Sequence, residues 1–223
     1  MVQTNSTFDM LEFSHKYDKD HAEAYLRKHQ DGFLRRMSNA RDIGLAKKAL
    51  IAAGNPRSIL DIPCGTGRFW SLLNTMGAQQ LIAADSSGAM LQVAKHYRNA
   101  DNFGQINASA FAIPLSNESI DSIFCMRLLH HLGEQSDRYA LLTEFHRVCR
   151  ETVCVSLWID GNLQAHRRKR LEQRRKKKPY QNRFVMTAPA FETECQASGF
   201  SILASFDMLR WISMWRVYVL AKV

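Results

Sequence analysis

Seven short apolar runs, most of them separated by stretches long enough for a helix, constrain the fold of this chain more than any other feature. They cover residues 58–62, 80–84, 104–108, 120–126, 152–159, 200–206 and 211–221. Strands that alternate with helices pair in parallel through right-handed crossovers. The last two runs are close enough for a hairpin, which favours an antiparallel pair. The sequence therefore predicts an α/β fold with a doubly wound, seven-stranded, mostly parallel sheet and an antiparallel C-terminal hairpin at one edge.

The chain is predicted to form one domain. Its 223 residues are enough for one sizeable core, and we find neither an internal repeat nor an interdomain linker. Residues 15–52 have apolar positions at three- and four-residue spacings, which is typical of helices. The predicted parts are an N-terminal helical segment (1–55), a core (56–160), a basic insertion (161–188) and a C-terminal helix with a strand pair (189–223).

Composition excludes several classes of protein. The N-terminus lacks the charged and apolar regions of a signal peptide, and no run reaches the length of about 20 apolar residues that spans a bilayer. We therefore expect a cytoplasmic protein. The five cysteines are odd in number and show no C-x-x-C spacing, so they are predicted to be reduced thiols that form neither disulfides nor a metal site.

A glycine turn follows the first predicted strand, in the sequence ILDIPCGTGRFW. Gly65 and Gly67 lie where α/β folds bind ligands, beyond the carboxyl end of a strand and before a helix. A dinucleotide fingerprint needs a third glycine where this chain has Trp70, and the Gly-Lys-Ser/Thr of a phosphate loop is absent. Asp61 at the tip of the strand would repel a phosphate. The turn therefore favours a cationic ligand.

A second acidic residue ends the next predicted strand. Asp85 follows Asp61 by 24 residues, and an acidic side chain at this place can accept hydrogen bonds from both ribose hydroxyls. A helix is predicted to begin at Gly88, with Ser86 or Ser87 as its N-cap. The ligand is therefore expected to be a nucleoside that carries positive charge.

The stretches ILDIPCGTGRF, LIAADSSGAML, FAIPL and IDSIFCMRLLHHL, in this order, resemble the class I S-adenosylmethionine-dependent methyltransferases, in the small single-domain branch called type 11 or 25. The resemblance implies S-adenosylmethionine as cofactor, S-adenosylhomocysteine as product, a Rossmann-like core at 56–160 that binds the cofactor, and an N-terminal helical lid. It places Asp61, Gly65 and Gly67 near the methionine part and Asp85 on the ribose. The full set of implied cofactor residues is Asp61, Pro63, Cys64, Gly65, Gly67, Asp85, Ser86, Ser109, Ala110, Met126 and Arg41.

Two positions depart from the family pattern. Pro63 replaces the first glycine of Asp-x-Gly-x-Gly-x-Gly, which stiffens the turn and removes one N–H donor. Ser109 stands where the family usually has aspartate, so its hydrogen bond to the adenine amino group would lack a charge. Neither change alters the predicted ligand class.

Candidates for catalysis and acceptor binding are less specific. His130 and His131 follow the fourth strand, and an imidazole can act as a base near neutral pH. The alternative is that one of the pair packs as a structural residue. Because a sulfonium is already an activated electrophile, alignment and water exclusion can supply much of the rate without a base. Arg127 and, in the lid, Tyr25 are expected to contact the acceptor.

A basic arm supplies most of the net charge. Residues 167–178 hold nine Lys or Arg and one Glu, so they carry +8 of the total +9. Such a segment has little apolar surface to bury and suits an anionic partner: an acidic small molecule, an anionic membrane surface or, less favoured because few aromatics lie nearby, RNA. The alternative is a solvated loop that binds no partner. The residues expected to bind the acceptor are Arg174, Arg175, Lys176, Lys177 and Lys178.

The sequence thus predicts methyl transfer to an O or N atom of a small or lipid-linked, anionic acceptor, by a cytoplasmic enzyme that contacts the inner face of a membrane. Two alternatives stay open. One is an RNA methyltransferase that uses the basic arm for phosphate contacts, and the other is a binding protein that keeps the fold without turnover.

Overall fold

The computed structural model describes residues 33–98, 100–174 and 183–223. The strands are β1 (Ser58–Asp61), β2 (Gln80–Asp85), β3 (Phe103–Asn107), β4 (Ile120–Cys125), β5 (Cys149–Trp158), β6 (Phe200–Asp207) and β7 (Trp215–Lys222). The α-helices are α1 (Phe33–Ala52), α2 (Trp70–Leu73), α3 (Gly88–Tyr97), α4 (Gln135–Val148), α5 (Leu163–Arg174) and α6 (Ala188–Ala197). Two 3₁₀ turns cover Asn74–Met76 and Leu129–His131.

The strands form one seven-stranded sheet in the order β3-β2-β1-β4-β5-β7-β6. Every pair from β3 to β5 is parallel, whereas β7 runs antiparallel to both β5 and β6. The predicted fold is therefore confirmed, including the hairpin at one edge. One boundary was predicted too early, because residues 209–213 turn back on themselves, with Ser213 N donating to Leu209 O at 2.9 Å, before β7 begins.

Helices cover both faces of the sheet, because successive residues of a strand point to opposite sides. Leu60 faces one layer and its neighbour Ile59 faces the other. The first layer includes Leu141 and Phe145 of α4 with Phe191 of α6. The second includes Leu45 and Leu50 of α1, Trp70 of α2 and Leu91 of α3. The carboxyl ends of the parallel strands between these layers carry the predicted site.

Helix α1 lies over β6 and β7. Its buried positions recur every three or four residues, as expected of one helical face; they are Asp42, Leu45, Ala46, Ala49 and Leu50. The prediction of a helical segment before the first strand holds over Phe33–Ala52. Tyr25 lies outside the described residues, and the role of this segment as a lid stays a prediction.

The five cysteines are all free and buried. In the described part of the chain, no group of three or more metal-ligating side chains is found. No helix among the same residues is long and apolar enough to cross a bilayer.

Candidate functional site

The glycine turn leaves β1 in a conformation that few residues other than glycine adopt. Gly65 and Gly67 have φ values of +53° and +68°, in the left-handed region that a Cβ disfavours. A Cβ on Gly67 would lie 2.8 Å from the Trp70 ring, whereas a Cβ on Gly65 would meet nothing within 4 Å. The chain is thus tightly packed at Gly67, and open space borders the backbone at Gly65.

The Asp85 carboxylate fixes the shape of this turn. Its Oδ2 accepts a hydrogen bond from Gly65 N at 2.8 Å, and its Oδ1 accepts one from Ser87 N at 2.9 Å. Burial raises the pKa of Asp85, and these two N–H donors lower it. A carboxylate has about four acceptor sites, so capacity for two ribose hydroxyls is left over.

Asp61 is buried at the tip of β1 and is only 1% exposed. Its Oδ2 accepts a hydrogen bond from Trp70 Nε1 at 3.2 Å. Burial raises the pKa of Asp61 well above its usual range; the Trp70 bond lowers it, and the Asp85 charge raises it further. Neither carboxylate takes part in an ion pair with another described residue. Buried acidic groups without a cation suit a positively charged ligand.

The end of β3 is hydrogen-bonded to the backbone of Asp85. Asn107 Nδ2 donates to Asp85 O at 2.7 Å, and Ala108 N donates to the same oxygen at 3.1 Å. The next residues form a short turn in which Ser109 Oγ accepts from Phe111 N at 3.2 Å, and Ala110 is buried. The segment implied for adenine therefore follows directly from the strand that borders Asp85.

Helix α3 begins beside the carboxylate. Ser87 is its N-cap, with Oγ accepting from Met90 N at 3.3 Å, while Ser86 is exposed. Cys64 N donates to Ala84 O, one residue before Asp85, at 2.9 Å. Burial raises the pKa of its thiol well above the usual range, so Cys64 stays protonated. Pro63 follows a cis peptide bond.

At the end of β4 the chain turns sharply, with Arg127 at φ +67°. Arg127 N donates to Ser156 Oγ at 2.8 Å, and the guanidinium lies 4.8 Å from the centre of the Trp215 ring. The preceding Met126 is buried. Arg127 is therefore held between β5 and β7, next to the strand that carries the glycine turn.

His130 packs among aromatic rings instead of facing solvent. Its ring stacks 4.8 Å from Trp158, lies edge-on 4.9 Å from Trp215 and lies 4.1 Å from His131. Burial, with the positive charges of His131 and nearby arginines, lowers the pKa of His130 to about 2. A base with that pKa takes up protons poorly near neutrality. The alternative of a structural histidine therefore fits His130, and half-buried His131 is left as the predicted base.

The geometry agrees with comparisons to known proteins. Residues 60–155 match the family described as "Methyltransferase domain". The chain is 30% identical over 109 residues to a tRNA U34 carboxymethyltransferase of Pseudoalteromonas translucida, a match that covers 48% of this chain and 34% of that protein. It is 37% identical over 71 residues to a malonyl-[acyl-carrier protein] O-methyltransferase of Methylococcus capsulatus, covering 31% of this chain and 26% of that one. The chain thus spans about a third or less of the curated relatives that it matches.

Among solved structures, magnesium protoporphyrin IX methyltransferase from Synechocystis PCC 6803, with bound S-adenosylhomocysteine, superposes with a TM-score of 0.76 at 15% identity, covering 95% of this chain and 99% of that one. Residues 60–155 thus resemble a methyltransferase domain, and the chain has the fold of the class I S-adenosylmethionine-dependent methyltransferases. The resemblance drawn from the motifs is confirmed, as is the cofactor class.

One contact near the glycine turn was not predicted from the sequence. Asp42 of α1 is buried and accepts hydrogen bonds from both Arg68 and Arg127. It therefore links the N-terminal helix to the glycine turn and to the tip of β4. Its position four residues before buried Ala46, on the apolar face of α1, is a signal that could have revealed it.

Other predicted residues are placed only in part. Arg41 lies exposed on α1, one residue before Asp42, and its cofactor contact stays a prediction. Arg174 is the last described residue of α5. Arg175 and Lys176–Lys178, like Tyr25, lie outside the described residues.

Proposed function

We propose that the whole protein catalyses methyl transfer from S-adenosylmethionine to an O or N atom of a small or lipid-linked, anionic acceptor. The observation that carries the cofactor part is the pair of buried carboxylates, Asp61 and Asp85, without a cationic partner among the described residues and beside the open turn at Gly65. S-adenosylmethionine supplies a methyl group on a positively charged sulfur. In this proposal Asp85 binds the ribose, Asp61 faces the positive charge of the methionine part, and Ser109 and Ala110 border the adenine.

A groove next to this site supports an amphiphilic acceptor. It has a volume of about 440 Å³ and lies between α1, α5 and the 208–215 segment. Its lining includes the apolar side chains of Leu171, Met208 and Met214 and the cationic side chain of Arg167, together with Arg168, which pairs with Glu172. Trp215 also lines it and lies against Arg127. A molecule with an apolar part and an anionic group would find both kinds of contact here.

In this proposal the protein promotes the reaction mainly by holding the acceptor in line with the methyl group. Arg127 and Trp215 would orient the acceptor, and His131 would take its proton where the attacking atom carries one. Buried Trp158 and the other rings packed around His130 would keep water from this side of the reacting groups.

The ribose assignment is tested by Asp85→Asn. The substitution replaces one acceptor oxygen with an amide that cannot accept from a backbone N–H or a ribose hydroxyl. Because a hydrogen bond to a charged group contributes about 1.5–3 kcal/mol, we expect the Kd for S-adenosylmethionine to rise at least about tenfold. Calorimetry measures it, with Glu151→Gln on the exposed part of β5 as control. An unchanged Kd in the Asp85 variant contradicts the assignment.

The activity is tested by incubating the protein with methyl-labelled S-adenosylmethionine and fractionated cell extract. We expect label in the small-molecule or lipid fraction. If no fraction becomes labelled, a binding protein without turnover is the better description.

RNA is the second candidate acceptor, because one relative is a tRNA carboxymethyltransferase and the basic arm offers phosphate contacts. Label that disappears after nuclease treatment of the acceptor fraction would favour it over the small or lipid-linked acceptor.

The basic arm is tested by replacing Arg174, Arg175, Lys176, Lys177 and Lys178 with Ser. Because a basic field steers anions toward a site, the acceptor KM should rise about tenfold or more at low salt, while the cofactor Kd stays unchanged. Lys47→Ser with Lys48→Ser, on the exposed face of α1, is the control. An acceptor KM of the wild type that does not vary with salt contradicts a steering role.

A further inference from the structure

An apolar tip projects from the hairpin end of the sheet. The loop 209–212, which we call the tip loop, contains Leu209, Arg210, Trp211 and Ile212. Trp211 is 70% exposed and Ile212 is 50% exposed. Exposing large apolar side chains at neighbouring positions is energetically unfavourable in water unless they contact a partner.

The backbone of the tip loop holds its tryptophan outward. Trp211 has φ +66°, a conformation that is unusual for a bulky residue and is found where the chain turns under strain. The Arg210 guanidinium lies 5.0 Å from the centre of the Trp211 ring. An amphipathic indole beside a cation is the pairing found where proteins meet the headgroup layer of a bilayer.

Helix α5 extends this surface. Leu163 N donates to Trp211 O and Gln164 N donates to Ile212 O, both at 3.0 Å, so the helix begins against the tip loop. Leu163, Arg167 and Leu171 are spaced four residues apart and share one helical face. All three are exposed, with Leu171 at 57%. The opposite side faces inward, because Ala165 is buried and Arg168 lies over Trp158.

We propose that the tip loop and the Leu163–Arg167–Leu171 row of α5 form a docking surface for an anionic lipid bilayer. The leucines, Ile212 and Trp211 would enter the boundary between headgroups and acyl chains, and the surrounding arginines would contact lipid phosphates. RNA fits this surface less well, because Trp211 is the one aromatic side chain among the residues named here and the leucines and Ile212 offer no ring on which bases stack.

The surface borders the proposed acceptor groove, since Arg167 and Leu171 belong to both. The inference rests on the proposed function in one respect only: a lipid-linked acceptor would enter the groove from the docked bilayer. Binding to the bilayer itself requires no methyl transfer and is measured without it.

The test is binding of the full chain to vesicles of phosphatidylcholine with or without 30% phosphatidylglycerol. We expect the protein to sediment with the anionic vesicles at low salt and not with the neutral ones. Trp70 and Trp158 are buried and Trp215 is half-buried, so the fluorescence of exposed Trp211 should shift to the blue on binding. Brominated lipids should quench it.

Two variants separate the apolar and charged contributions. Trp211→Asn with Ile212→Ser removes the apolar tip, and asparagine tolerates the left-handed backbone at 211; we expect binding to weaken about tenfold. Arg167→Gln with Arg170→Gln, at two exposed arginines of α5 beside the leucines, should weaken it on the order of 30-fold, at about 1 kcal/mol for each basic residue near the surface. The matched controls are Ile51→Ser, at a half-exposed isoleucine of α1, and Lys47→Gln with Lys48→Gln.

Vesicle binding that both test variants lose and both control variants keep supports the docking surface. Equal binding by all variants, equal binding to neutral vesicles, or binding of RNA in preference to anionic vesicles overturns it. A wild type that methylates an acceptor and ignores vesicles overturns the docking surface and leaves the proposed function standing. A wild type that binds vesicles and labels no acceptor overturns the proposed function and leaves the docking surface standing.

Discussion

The carboxyl group of Asp61 lies almost without solvent contact at the tip of β1, with Asp85 as its charged neighbour. Its raised pKa means that the folded protein holds a proton at a pH where the unfolded chain has released it. In the absence of ligand, the free energy of unfolding should therefore fall as pH rises from the usual carboxyl range through that raised pKa. Whether Asp61 attracts a cation depends on whether the bound ligand favours its protonated or its ionised form.

We expect binding of S-adenosylmethionine to release a proton. A cation favours the ionised carboxylate, which lowers the pKa of Asp61 on binding and makes affinity fall as pH drops through its raised value. Calorimetry in buffers of different ionisation enthalpy measures the protons released. Asp61→Asn should reduce that number; release of the same number of protons by this variant would assign the effect to another group.

At the scale of the structural element, the glycine turn shows which features could be predicted from the sequence and which could not. Strand, glycines and acidic strand tips follow each other locally, so their order predicted the fold, the cofactor class and the place of the site. The contacts of Trp70 with Asp61 and of Arg127 with Trp215 depend on side-chain directions, and the partners in the second pair are far apart in the chain. Periodicity gives no information about such pairs. For the same reason the packing of His130 among rings emerged only from the structure.

Gly67 should tolerate alanine much less well than Gly77. Both glycines have a positive φ, so either substitution costs about 1 kcal/mol in backbone strain. A Cβ on Gly77 meets open space, whereas one on Gly67 meets Trp70, whose indole donates to Asp61. We expect Gly67→Ala to lower the free energy of unfolding by about 2–4 kcal/mol, since overpacking adds to the strain. Urea denaturation measures both variants, and an equal loss in the two would show that the Trp70 contact is unimportant.

At the scale of the whole molecule, one buried carboxylate joins three parts that are distant in sequence. Asp42 of α1 pairs with Arg68 after the glycine turn and with Arg127 at the tip of β4, and the second pair spans 85 residues. Helix α1 is thus held to the glycine turn and to the tip of β4 at once. Stability and ligand binding should therefore change together when this residue is altered.

Asp42→Asn keeps the size of the side chain and removes its charge, which leaves two arginines without their buried counter-ion. Because breaking a buried ion pair is costly, we expect a loss of about 2–4 kcal/mol in the free energy of unfolding. Asp160→Asn removes the partner of half-exposed Lys169 and should cost at most about 1 kcal/mol, because solvent screens that pair. Urea denaturation with and without S-adenosylmethionine distinguishes the two roles of Asp42: the variant should also gain less stability from the cofactor than the wild type does. The same gain in both proteins would mean that Asp42 holds the helix to the sheet without shaping the site.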